Sequence, residues 1–190
     1  MSRSLPAPER PTAADPDLDA VLAAQADRAA FAVLYQRYLD RVYGYCFYLL
    51  GDHHDAEDAT ERTFLAALRA LPGFRDEGAS FRAWLFRIAR NTVLNARRGR
   101  IRRRTEPLPD SFDRAAPDSD PAGMVAQADE LRRALRVVHQ LPDDRRQVIL
   151  LRFVDGLSSR EIGLVLDRSE GAVRVLLHRA LRDLAARLHP

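Results

Sequence analysis

The sequence predicts an all-α protein made of two small helical domains joined by an extended acidic linker. Three observations carry this. Apolar residues recur three and four positions apart over most of the chain, which is the helical period. Glycine is scarce, 9 of 190 residues, and no segment shows the apolar–polar alternation of a half-buried strand. One stretch, residues 105–123, is too polar to bury a core and divides the periodic pattern in two.

The bulk composition bounds the class. Hydrophobic content of 46% and charged content of 30% fit a soluble folded protein. With aromatics at 7%, the cores must be built mainly from Leu, Val, Ile and Ala. The net charge is only +3, but it is unevenly spread. Arg87 to Arg104 holds eight Arg and no acid, whereas Thr105 to Gly123 holds five acids and one Arg. Such blocks imply separate surfaces for polyanionic and basic partners. All the basic side chains other than His are Arg, which forks onto phosphates and base edges better than Lys. The single cysteine, Cys46, excludes an internal disulfide and a cysteine-based zinc site, and reads as a small buried hydrophobe. The first thirty residues lack the basic-then-apolar pattern of a signal peptide. No run approaches the ~18 apolar residues that cross a bilayer. A cytoplasmic location without membrane insertion is expected.

The elements follow in order. Residues 1–15 are rich in Pro, Ala and charge and are expected to be a disordered tail. From about Asp27 to Leu50, Phe31, Leu34, Tyr35, Tyr38, Val42, Tyr45, Cys46 and Leu49 mark a helix that Gly51-Asp52 stops. A second helix starts near Asp55, with acids suited to the helix dipole in its first turn, and ends before Pro72-Gly73. After a loop from Phe74 to Ser80, a third runs from about Phe81 to Arg98 or beyond, grading into RRGRIRRR. The first domain is therefore 16–104. The linker, 105–123, carries four Pro and almost no apolar residues. The second domain, 124–190, opens with a helix from roughly Met124 to Gln140. Another begins at Pro142 and ends at Gly156. Ser158 and Glu161 form a capping box, Asp167-Arg168 a turn, and Ser169 caps a last helix running towards Leu188.

Two short helices joined by a tight turn, the second basic and amphipathic, form the sequence pattern of a helix-turn-helix. On the last helix Val173, Leu177, Ala180 and Leu184 share one face, to be packed on the domain. Arg174, Val175, His178, Arg179 and Arg182 share the other, free to enter a major groove. Free N–H groups near Ser169 can hold a phosphate.

Three segments then resemble one family in the right order: DAEDATERTFLAAL at 55–68, FRAWLFRIARNTVLNARR at 81–98, and the LPDDRRQVILLRFVDGLSSREIG to GAVRVLLHRALRDL stretch over 141–184. Together they resemble the extracytoplasmic-function branch of the sigma-70 family, which keeps only regions two and four. The resemblance implies a subunit that binds core RNA polymerase, recognises −35 and −10 promoter elements and opens the DNA. No cofactor, metal or catalysed chemistry is implied. Asp55, Glu57, Asp58, Glu61 and Phe64 match positions that dock on the β′ coiled coil of polymerase, although Glu61-Arg62 stands where the family usually has Gln-Glu. The loop of Phe74, Arg75, Asp76, Glu77, Gly78, Ala79 and Ser80 matches the pocket that takes a flipped −10 base. Arg87, Asn91, Asn95 and Arg98 match the −10-facing side of the third helix. Trp84 sits near that side, either as a wedge against the last base pair or as a core residue. Arg97 to Arg104 should track phosphates. Ser169, Arg174, Val175, His178 and Arg179 match the −35-reading positions, and the same region packs on the β flap. Val175 replaces a frequent Ser, and Asp167 a frequent Gly. The linker acids either line the polymerase cleft or form a solvated spacer. An anti-sigma factor is an expected partner.

Two other classes compete. A stand-alone helix-turn-helix regulator of the response-regulator type would share the last domain but leaves 55–98 unexplained. A metal-dependent enzyme is suggested only by His53, His54, Asp55, Glu57 and Asp58, which lack a second set of ligands.

Overall fold

The computed structural model describes residues 15–76, 78–105 and 137–188, and every regular element within them is helical. These are α1 (Leu18–Ala26), α2 (Phe31–Leu50), α3 (His53–Ala70), α4 (Phe81–Thr105), α5 (Asp143–Ile149), α6 (Ser159–Leu166) and α7 (Glu170–Leu188). The acidic linker, the tail before Asp15 and the expected helix from Met124 as far as residue 136 lie outside the described residues.

In the first unit α2, α3 and α4 pack around Leu34, Tyr45, Phe81, Leu85 and Phe86, all fully buried. Gly51 ends α2 in the left-handed region (φ 72°), and the Asp52 carboxylate then accepts the Asp55 N–H at 2.9 Å. That cap starts α3 at His53, two residues earlier than the run of acids had indicated. Two buried threonines return their hydroxyls to the helix, Thr60 to the Ala56 carbonyl at 2.7 Å and Thr63 to that of Ala59 at 2.6 Å. No polar group is thus stranded on the packed face of α3. Cys46 is buried as expected, and burial pushes its thiol up to about 12.

Two features at the N-terminal end depart from the sequence reading. Asp15, placed in the disordered tail, is buried: its carboxylate accepts the Phe81 N–H at 2.5 Å, capping the start of α4. Helix α1 was not anticipated. Asp17 ahead of it takes the Tyr38 hydroxyl and the Arg37 guanidinium, which together with Val21 and Ala24 straps α1 onto α2.

The second unit is the expected helix-turn-helix with a lead-in helix. Helix α5 widens into a π-turn over Leu150–Val154, which Gly156 ends with φ 67°. Ser158 and Glu161 form a reciprocal capping box at the start of α6. Asp167 takes the left-handed conformation (φ 56°) that turns the chain into α7. A Cβ at Gly163 would lie 2.6 Å from the Arg168 carbonyl oxygen, so the turn closes only over a residue with no side chain. The Ser169 hydroxyl accepts the Ala172 N–H at 3.2 Å, capping α7. The inner face of α7 is Val173, Leu176 and Ala180; Leu177 and Leu184, expected there, are only partly buried. The stripe is rotated because α7 packs against both α5 and α6, not against one neighbour.

Candidate nucleic-acid interface

Helix α4 exposes Arg87, Asn91, Asn95 and Arg98, while Phe86, Ala89 and Val93 on its other side are buried. Spacings of four, four and three keep the quartet on one stripe, with donors and acceptors for base edges between two cations for phosphate. Arg98 Nη1 meets Asn95 Oδ1 at 3.5 Å, which ties neighbours of the stripe together. The basic run beyond it is partly engaged. Arg97 bonds the Leu49 carbonyl and pairs with Asp143, and Arg100 pairs with Asp55 at 3.4 Å.

The loop before α4 lies at one end of this stripe. Phe74 is buried, its ring 5.9 Å from Phe81 and 5.1 Å from Trp84, so it forms the floor of the loop and not its rim. Trp84 is partly buried in the same cluster, 5.5 Å from Phe81. Arg75 is exposed and donates to the Phe74 carbonyl at 2.8 Å. Between α1 and the loop is a cavity of about 360 Å3 lined by Leu18, Leu22, Gln25, Phe74, Arg75 and Asp76. Gln25, which the sequence reading missed, donates from Nε2 to the Leu71 carbonyl at 2.9 Å and the Phe74 carbonyl at 3.0 Å. No sequence motif marks it, because its partners are backbone atoms 46 and 49 residues away. Ser80 faces elsewhere and gives its hydroxyl to Glu161 of α6.

On α3, Glu57, Asp58 and Glu61 are exposed, Asp55 half-buried. Asp58 pairs with Arg62 one turn on at 3.3 Å, so Arg62 partly neutralises the acidic face. Phe64 is buried between Phe31 and Tyr35, with ring centres 6.4 and 4.7 Å away, and supports this face from beneath. The segment around His53 does not converge on a metal: His53 Nδ1 lies 2.6 Å from the Tyr43 hydroxyl, and His54 leans on Glu57 at 3.8 Å. Among the described residues no group of three or more metal-ligating side chains is gathered.

On α7, Arg174, Val175, His178 and Arg179 all face outward, with Val175 53% exposed at the head of the helix. Arg174 pairs with Glu170 one turn back, which orients its guanidinium.

Comparison with known proteins decides the family. The family model for sigma-70 region 2 matches residues 34–104, and that for sigma-70 region 4 matches 131–184. The ECF RNA polymerase sigma factor BldN of Streptomyces coelicolor is 36% identical over 181 residues, which is 93% of this chain and 69% of BldN. The chain belongs to the extracytoplasmic-function branch of the sigma-70 family. Further relatives of this sigma factor include SigD of Mycobacterium tuberculosis, 35% identical over 88% of the chain and 82% of SigD. CnrH, solved in complex with the cytosolic domain of CnrY, superposes with a TM-score of 0.66 over 90% of the chain and 96% of CnrH, at 28% identity. RpoE of Bartonella quintana, solved with the anti-sigma factor NepR, shares the fold at 22% identity and the same TM-score over 83% of the chain and 96% of RpoE. As a sigma factor, the protein directs core RNA polymerase to promoter DNA. The stand-alone regulator reading is not favoured, since region 2 accounts for the segment it left unexplained. Among the described residues no helix is long and apolar enough to cross a membrane.

Proposed function

We propose that this sigma factor reads its promoter with two surfaces of its own and docks on polymerase with a third. The observation that carries this is the exposed Arg87–Asn91–Asn95–Arg98 stripe on α4 in the same chain as an outward-facing Arg174–Val175–His178–Arg179 edge on α7. The first suits unpaired or edge-exposed bases of the −10 element flanked by phosphates. A flipped base enters beside Arg75 over the Phe74 floor, and Trp84, braced by Phe74 and Phe81, abuts the last pair. The second suits the major groove of the −35 element, with a phosphate held at the α7 N-terminus by Ser169. The third is the acidic face of α3, Asp55, Glu57, Asp58 and Glu61 over Phe64, which suits a basic coiled coil of β′, while region 4 takes the β flap.

The corresponding domains are 16–104 and 124–190, tethered by 105–123. The chain catalyses no chemistry: melting is driven by trapping unpaired bases. It works in the cytoplasm, under an anti-sigma factor, as the RpoE and NepR complex illustrates for another member.

Permanganate mapping of unpaired thymines on a promoter bound by reconstituted holoenzyme tests the −10 surface. Replacing Asn91 and Asn95 together with Ala is expected to lower open-complex yield about tenfold or more, one to three kcal/mol being the usual worth of a base contact. Duplex −35 binding stays unchanged. Undiminished melting by that variant contradicts the assignment.

A further inference from the structure

The loop before α4 is held at both ends by α1 and the residues that lead into it. At the start of the loop, Gln25 Nε2 donates to the Leu71 carbonyl at 2.9 Å and to the Phe74 carbonyl at 3.0 Å. Two carbonyl partners use both amide hydrogens and so fix which way the amide points. At the end of the loop, one oxygen of the buried Asp15 carboxylate accepts the Phe81 N–H at 2.5 Å. Its other oxygen accepts the Asp17 N–H at 3.0 Å. Phe81 opens α4, and an amide in the first turn of a helix has no partner inside that helix. Asp15 supplies one from outside.

The segment that holds the loop is itself fixed. Asp17 takes the Tyr38 hydroxyl and the Arg37 guanidinium of α2, and Val21 and Ala24 are buried in the core. Helix α1 therefore stands as a strut between α2 and the loop. The Phe74 carbonyl is the junction. It accepts from Gln25 and, at 2.8 Å, from Arg75 Nη1, so both its lone pairs are taken. The Phe74 ring lies 5.1 Å from Trp84. One residue thus ties α1 to the cation beside the base cavity and to the aromatic floor under it. The cavity needs both walls: Leu18, Leu22 and Gln25 on one side, Phe74, Arg75 and Asp76 on the other. A loop held at both ends has already lost the freedom that a free loop would lose when a base enters. A fixed pocket also rejects a wrong base, where a pliant one reshapes around it.

We propose that Gln25 and Asp15 are positioning residues for −10 selection: from α1 they clamp the two ends of the loop, and the clamp sets how strictly the flipped base is chosen. The inference rests on the reading of this loop as the base pocket and adds to it an element from outside the loop. Both residues lie ahead of the stretch matched as region 2, residues 34–104. They act through Phe74, Arg75 and the first turn of α4, so their loss leaves the Asn91–Asn95 stripe and the −35 edge of α7 in place.

The test uses holoenzyme reconstituted with the full chain, unsubstituted or carrying Gln25→Met or Asp15→Ala. Met keeps the length of the Gln25 side chain but donates nothing, and the two variants release opposite ends of the loop, so the test survives if one of them fails to fold. Each protein opens promoters that carry each of the four bases, or an abasic site, at every −10 position in turn. The unsubstituted holoenzyme is expected to favour one base at the flipped position by about tenfold or more, the usual worth of a base contact. Both variants reduce that preference to roughly threefold or less, since each removes bonds that hold the loop. Preferences at the other −10 positions and affinity for −35 duplex stay as they were. A variant that is only less stable opens every promoter less and leaves the ratios unmoved. In the free chain, Trp84, the only tryptophan, becomes more accessible to acrylamide in both variants. Variants as selective as the unsubstituted protein, with equal quenching of Trp84, overturn this proposal alone. No preference at any −10 position in the unsubstituted holoenzyme overturns the reading of the loop and this proposal with it.

Discussion

At the scale of single residues, the helix-turn-helix depends on two backbone positions. Asp167 accepts a left-handed φ of 56°, which Asp tolerates because its short side chain can bond locally. Gly163 admits the Arg168 carbonyl where a methyl group would stand at 2.6 Å. Gly163→Ala is therefore expected to cost about 1–3 kcal/mol, as overpacking does, seen as a lower Tm and weaker −35 binding. Asp155 is a different kind of residue. Burial pushes its carboxyl up to about 7, against the pull of Arg41 and Arg82; the buried Tyr45 also faces it. A folded-state value above the ordinary 3.8 means that the group's contribution to stability is fully present below about pH 4 and is lost as pH rises through 7. Asp155→Asn removes that loss. The stability gain of the variant over the parent, measured by urea unfolding, should grow from near zero at pH 4 to a few kcal/mol at pH 7 and stay constant above it. A gain independent of pH would show that Asp155 does not titrate there.

At the scale of elements, each of the two helices proposed to meet DNA is aligned by its apolar stripe. Burial of Phe86, Ala89 and Val93 fixes which side of α4 faces out, and Val173, Leu176 and Ala180 do the same for α7. Packing thus decides which side chains of the two helices face out, and local bonds such as Arg174 to Glu170 and Arg98 to Asn95 then orient the exposed cations. Arg174→Ala should weaken −35 duplex binding by the holoenzyme about tenfold and reduce the slope of log affinity against log salt by about one, if the side chain meets phosphate as well as base. An unchanged slope with lost sequence preference would assign Arg174 to bases alone. These helices were legible in the sequence because their periods are long and their caps explicit: the Ser158 box and the Gly51 and Gly156 stops stand where the spacing puts them. Helix α1 was not legible. At nine residues it is too short for periodicity to stand out, and it is held by Asp17 through Arg37 and Tyr38, partners twenty and twenty-one residues on. The π-turn after Ile149 likewise leaves no mark in an apolar run that reads equally well as α-helix. Within the candidate interface, the exposed polar residues could be found from spacing, but Gln25 and the burial of Phe64 and Phe74 could not, because both depend on which elements meet.

At the scale of the molecule, two helical units each bury a small core, and α6 of the second lies against α4 of the first. No local pattern announces the docking. Glu161 reads as half of a capping box, and its second allegiance to Ser80 and Arg82 appears only once α6 lies against α4. The central claim is that this chain gives core polymerase its choice of start site through both units. The most direct test is transcription by core polymerase with the purified full-length chain on genomic templates, with the 5′ ends sequenced. Transcripts that begin at a restricted set of sites sharing two upstream elements, lost when the chain is omitted, are the predicted result. No association with core, or start sites identical to those of core alone, would contradict it.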